Sequence, residues 1–117
     1  MGAVAVKRRV AETCAPTEHE DARRKKRAPD GAVERAATLF RALGDTSRIR
    51  LLELLLDGEH CVGDLASDTT TPMSTVSQQL RLLRGEGIVT RRRAGKHIYY
   101  ALTDAAVSDW VRSALAR

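Results

Sequence analysis

Aromatic side chains are nearly missing from this chain, with one Phe, one Trp and two Tyr among 117 residues. Leu, Val and Ala must therefore fill whatever core it forms. Cysteine is as scarce, and two cysteines in a reducing compartment read as thiols or ligands rather than as a disulfide scaffold. With three histidines there is no nucleophile–base constellation, and no phosphate-cradling glycine loop occurs, so no enzyme is expected. No apolar run approaches the length needed to cross a bilayer. The opening MGAVAVKRRV has too short an apolar stretch and the wrong charge order for a secretory signal, so a cytoplasmic protein is expected. No internal repeat is visible.

What is present is an ordinary apolar fraction of 43%, enough for one packed domain, and a net charge of +5 that suits an anionic partner. The distribution says more than the sum. Residues 81–97 hold Arg81, Arg84, Arg91, Arg92, Arg93 and Lys96 against Glu86 alone. Residues 51–68 hold Glu53, Asp57, Glu59, Asp64 and Asp68 with no Lys or Arg. A basic face for phosphates and an acidic one for a cation follow as expectations.

Residues 1–30 read as a flexible basic arm, with clusters Lys7-Arg8-Arg9 and Arg23-Arg24-Lys25-Lys26-Arg27, Pro16 and Pro29, and few large apolar side chains. Residues 31–117 read as the folded domain. A first helix begins near Asp30, a suitable N-cap, with Val33, Ala36, Ala37, Phe40 and Leu43 at helical spacing. A second carries Ile49, Leu52, Leu55 and Leu56, and a short third runs from about Cys61 to Ser67. The stretch 68–71 makes a turn, and Pro72 opens a fourth helix with its stripe on Met73, Val76, Leu80 and Leu83. Strands over 88–92 and 97–102 flank a tip at Ala94-Gly95. A last helix over 103–116 places Val107, Trp110, Val111, Ala114 and Leu115 on one side, a stripe of the kind that packs on a second copy. The expected fold is mainly α with a small β-hairpin.

The fourth helix sets Ser74, Thr75, Ser77, Gln78 and Arg81 away from its apolar stripe. Short polar side chains on a helix that fits the major groove reach base edges, Gln pairing with adenine and Arg with guanine. A solvated polar face looks the same in isolation. The hairpin decides between them: Arg91, Arg92, Arg93 and Lys96 around one tight turn repel each other unless duplex phosphates or a narrow minor groove relieve them.

The stretches ALGDTSRIRLLELL, HCVGDLA, STVSQQLRLLRGEGIV and RRRAGKHIYYAL keep order and spacing with a known family. Residues 35–102 resemble the ArsR/SmtB winged helix-turn-helix repressors. The resemblance implies a homodimer on a partly palindromic double-stranded DNA operator, the fourth helix as reader and the hairpin as wing. It implies release when an effector binds. Gln78 stands where many relatives carry histidine, which shifts the expected base preference.

A subgroup of that family carries CVGDLA or CVCDLA on the third helix, and Cys61 and Asp64 match that phrase. In those relatives a cysteine-bearing N-terminal arm of the other subunit completes a metal site. The arm here is CAPTEHED, so the resemblance implies Cys14 with His19 or Glu18 from one subunit, and Cys61 with Asp64, or His60 as an alternative, from the other. Two thiolates with imidazole or carboxylate suit zinc, cadmium or lead as effector. Residues 15–60 separate the cysteines, 46 in all, which excludes a compact local finger. The blander readings are Cys61 as a small buried hydrophobe and Cys14 as an incidental tail residue. A second family site, between the last helices, needs a histidine where Ala106 stands and is expected to be lost, leaving Asp104 as a helix-start residue. Two rivals share the fold: a redox sensor in which Cys14 and Cys61 form a disulfide, and a DNA-binding protein with no effector.

Overall fold

The computed structural model describes residues 26–117. The chain divides into two units, 1–33 and 34–117, and all tertiary contacts below lie within the second. From Asp30 on, the described residues form five helices and three strands in the order α1 (Asp30–Leu43), α2 (Thr46–Leu55), β1 (His60–Cys61), α3 (Val62–Thr69), α4 (Met73–Gly85), β2 (Val89–Ala94), β3 (His97–Leu102) and α5 (Ala105–Leu115). The strands form one antiparallel sheet in the order β1-β3-β2.

Local chemistry sets the boundaries. The carbonyl of Pro29, rather than Asp30, starts α1: it accepts from the amides of Ala32 and Val33 at 3.0 and 3.1 Å. Asp30 is instead an acid in the first turn, where the helix dipole favours it. Asp45 caps α2 by accepting from the Arg48 amide at 3.1 Å, and Asp104 caps α5 by accepting from the Val107 amide at 3.0 Å. The hairpin turns at Gly95, whose φ of +61° costs glycine nothing.

The core is aliphatic. Leu51, Leu52 and Leu55 of α2 meet Leu65 and Ala66 of α3, and Val76, Leu80 and Leu83 of α4. Ile88, Val89 and Tyr100 on the sheet, Val107 and Val111 of α5, and Ala42 of α1 close it. Each fully buried Leu contributes roughly 1.5–3 kcal/mol relative to exposure. Among the described residues no polar or charged one is buried.

Several expectations need correction. Cys61 does not begin the third helix: it lies in a two-residue strand, β1, that pairs with β3, and α3 starts at Val62 and runs on to Thr69. The turn is correspondingly shorter, with Thr70 in the left-handed region (φ 51°, ψ 47°) as the C-cap. Pro72 precedes α4 as its N-cap rather than sitting inside its first turn. β2 starts one residue later and ends two later than expected. Met73, the first residue of α4, does not join its buried stripe and is 58% exposed. The apolar stripes of α1 and α5 divide. Phe40, Trp110 and Leu115 face outward at 68%, 45% and 45% exposure, while Ala42, Val107 and Val111 are buried.

Candidate nucleic-acid interface

α3, a three-residue turn and α4 make a helix-turn-helix. The turn is tied down by its own backbone: the Thr70 amide donates to the Ala66 and Ser67 carbonyls, and the Thr71 amide donates to Ala66 at 3.0 Å. Thr69 Oγ1 donates to the Leu65 carbonyl at 2.7 Å. Burial of Val76, Leu80 and Leu83 fixes which side of α4 is free. Ser74, Gln78 and Arg81, spaced four and three apart, are exposed along that side. Thr75 and Ser77 are half-buried on its flanks. Thr75 lines a cavity of about 200 Å³ with Thr46, Ser47, Arg50 and Thr71. No side chain caps α4, so the positive end of its dipole is open to an anion.

The register of the sheet sorts the arginines. Arg91 pairs with buried Tyr100 and Arg93 with Ile98, whereas Arg92 pairs with Tyr99. Side chains alternate along a strand. Arg91 and Arg93 therefore share one face, where they line a small cleft with Ile98, and Arg92 leaves by the other. Arg92 is also engaged. Its Nε donates to both carboxylate oxygens of Glu59 at 3.1 and 2.9 Å, its Nη2 donates to Oε1, and its guanidinium carbon lies 5.0 Å from the centre of the Tyr99 ring. The hydrogen bonds from Arg92 hold the Glu59 carboxyl below the usual carboxylate range, and the same bonds raise Arg92 further above the ordinary guanidinium value. The three arginines of β2 are thus not an equivalent cluster. Lys96 and His97 are exposed at the tip, and His97 leans toward Tyr99 with ring centres 6.2 Å apart.

β1 carries the thiol. Cys61 is half-buried, pairs with Tyr99, and is the residue from which α3 departs. Its Sγ lies over the first turn of α3, 4.0 Å from where a Cβ on Gly63 would sit. Asp64 is exposed in that turn, three residues on. His60 pairs with Tyr100, so His60 and Cys61 leave opposite faces of the sheet and do not converge from the strand. Among the described residues no three of His, Cys, Asp and Glu stand close enough together to hold a metal ion. Cys61 and Asp64 therefore fit a metal as partial donors that need completion from elsewhere. Cys14, Glu18 and His19 lie outside the described residues.

Two groups escaped the reading of the sequence. Glu59, part of the acidic stretch expected to face a cation, instead meets Arg92, 33 residues on. Thr46, Ser47 and Arg50 line the cleft beside Thr75 but belong to α2. The hydroxyl-rich start of α2 is the only local signal, and burial had to place it.

A helix-turn-helix beside an arginine-bearing hairpin defines a DNA-binding module of the winged class. Residues 45–91 match the model of the bacterial regulatory protein, arsR family. The chain is 43% identical over 80 residues to the transcriptional repressor SmtB homolog of Synechocystis sp., covering 68% of this chain and 61% of that protein. It is 40% identical over 79 residues to the cadmium resistance transcriptional regulatory protein CadC homolog of Staphylococcus aureus, covering 67% and 65%. The match thus spans less than two thirds of either relative's own length. Among solved structures, the transcriptional repressor BigR of Xylella fastidiosa is similar at a TM-score of 0.64 and 31% identity, over 87% of this chain and 95% of that one. A homodimeric winged helix-turn-helix DNA-binding domain of Mycobacterium bovis, a possible ArsR-family regulator, is similar at 0.71 and 27% identity, over 78% and 86%. The chain belongs to the ArsR family, whose members are DNA-binding transcriptional regulators and not enzymes. Among the described residues no helix is long and apolar enough to cross a membrane.

Proposed function

We propose that this protein is a cytoplasmic, homodimeric repressor that reads operator DNA with α4 and the β2–β3 wing and is released by a thiophilic divalent metal. In this reading Ser74, Gln78 and Arg81 meet base edges, with Thr75 and Ser77 beside them. Arg91, Arg93 and Lys96 meet phosphates or the minor groove, and Arg92 stands in reserve behind Glu59. The homodimeric relative supports assembly in pairs, and the outward Phe40, Trp110 and Leu115 supply apolar surface for it.

The observation that carries the sensing half is the position of Cys61. Its half-buried thiol lies where the helix supporting the reader begins, on a strand paired to the wing. Whatever seizes this sulfur acts on both parts of the DNA-binding surface. Cys61 with Asp64 would be met by Cys14 and His19 or Glu18 of the other subunit's arm. Asp64 is preferred to His60, which leaves the other face of β1. Two thiolates with a carboxylate or imidazole suit zinc, cadmium or lead, and the SmtB and CadC homologs support a metal as effector. A coupling of about 1–3 kcal/mol between site and operator weakens binding about 5–150-fold.

One titration tests the reading. Zinc, cadmium and lead are added to the reduced protein on its own promoter duplex, and thiolate charge-transfer absorption is read together with DNA release. The two should rise together and be lost in Cys61→Ser, which keeps its affinity for DNA. Release by peroxide in the presence of a chelator would replace the metal with a Cys14–Cys61 disulfide. Release by metal from the Ser variant would move the site elsewhere, and indifference to both agents would leave a regulator without an effector.

A further inference from the structure

One guanidinium sits where three helices meet. Arg48, in the first turn of α2, has a side chain only 16% exposed. Its Nε donates to the Ala42 carbonyl at 2.5 Å and its Nη2 to the Arg41 carbonyl at 3.2 Å. Those carbonyls belong to the last turn of α1, where acceptors outrun the helix's own amides; that of Arg41 also accepts from the Gly44 amide at 3.2 Å. Its Nη1 donates to Gln79 Oε1 at 3.1 Å, in the middle of α4, and lies 3.9 Å from Asp45 Oδ2. Among the described residues this is the only hydrogen bond joining α4 to α1 or α2.

Neither end of this bridge is neutral ground. α1 carries Phe40 outward, one residue before the bonded Arg41 carbonyl. Gln79 sits between Gln78, exposed for base contact, and Leu80, fully buried. Neighbouring residues on a helix are about 100° apart, so a tether on Gln79 sets the azimuth of Gln78. The Arg fork supplies direction as well as charge, which an aliphatic contact does not. Binding constellations need to be held within about 10–20° to work.

We propose that Arg48 is a positioning residue for operator recognition: through Gln79 it locks the rotation of the reading helix to the end of the dimer-facing helix, without touching DNA itself. Arg48 thereby converts the spacing of two subunits into the aim of two reading helices. The inference rests on the operator-binding dimer proposed above.

The test uses the full chain and two variants, Arg48→Lys, which keeps the charge and loses the fork, and Gln79→Met, which keeps the volume and loses the acceptor. Affinity is measured on promoter duplex and on random duplex across a salt series, with sedimentation for the dimer and thermal melts for the fold. Losing the Arg48–Gln79 hydrogen bond, the one loss common to both variants, should lower promoter affinity about tenfold to a hundredfold. Random-duplex affinity and its salt slope should not move, because no phosphate contact is lost. Gln79→Glu should restore most of the promoter preference by pairing with Arg48. Wild-type promoter affinity in both variants overturns the proposal. So does a parallel fall on both duplexes that tracks the melting temperature, which is the mark of a merely structural role. If the wild type itself shows no promoter preference, the operator reading fails instead. Distances then decide: nitroxides attached by non-cysteine chemistry at exposed Arg35 and Arg84, diluted into unlabelled protein, should broaden their separation in Arg48→Lys, and an unchanged distribution overturns the proposal.

Discussion

The sorting of the β2 arginines by strand register makes a quantitative prediction about salt. Arg91 and Arg93 share a face and have no ion-pair partner among the described residues, whereas Arg92 is held by Glu59 on the other face. Each phosphate neutralised on B-DNA contributes about −0.9 to the slope of log affinity against log salt. Replacing Arg91 or Arg93 by Ala should therefore flatten that slope by about 0.9 each. Between roughly 50 and 200 mM salt, a fourfold change, the gap between wild type and variant should narrow about 3.5-fold. Arg92→Ala should leave the slope near the wild-type value. Fluorescence anisotropy on promoter duplex at five or six salt concentrations reads all three. If Arg92→Ala flattens the slope as much as Arg91→Ala does, Arg92 abandons Glu59 for a phosphate on DNA, and the argument from strand faces is wrong.

Three further outcomes follow. The folded-state pKa of Glu59 is depressed, so the stabilisation from its tie to Arg92 is present above the ordinary glutamate value and is lost as pH falls through the folded value; the Arg92 Nε–H resonance should shift there, and Glu59→Gln should abolish the pH dependence. Thr70, a β-branched residue held at φ 51°, carries about 1–2 kcal/mol of strain, so Thr70→Gly should stabilise by about 0.5–1 kcal/mol net after the entropy of glycine, seen as a higher urea midpoint at unchanged slope; destabilisation would mean the threonine is favoured there. Phe40→Glu places a charge on a residue 68% exposed in α1 and should weaken dimerisation about a hundredfold or more without lowering the monomer's helicity; a variant that still sediments as a dimer puts the interface elsewhere.

Most of the architecture was legible because helices and hairpins announce themselves locally. Val76, Leu80 and Leu83 mark the inner side of α4 by spacing alone, and Gly95 marks the wing tip. What escaped was made by distant partners. β1 is two residues long and exists only because β3 offers hydrogen bonds to it, so no pattern within His60-Cys61 announces a strand. The Glu59–Arg92 and Arg48–Gln79 pairs join residues 33 and 31 apart, and nothing in the local sequence selects Glu59 from five acids in that stretch. Phe40 and Trp110 kept helical spacing yet stayed outside, because periodicity identifies an apolar side without saying what covers it. For the candidate site, the helix-turn-helix and the arginine-bearing hairpin were legible as residue types on elements. The separation of Arg92 from Arg91 and Arg93 onto opposite faces needed strand register.

Among the described residues the strand order leaves β2 as an open edge of the sheet, six residues long, while the other edge is only the two residues of β1. Unpaired edges recruit strands from neighbouring molecules, and charged side chains are a usual deterrent. Arg91 and Arg93, without ion-pair partners among the described residues, put like charge along that edge, and their repulsion between copies opposes wing-to-wing pairing. Stripping all three charges at once should turn a loss of DNA affinity into a gain of aggregation.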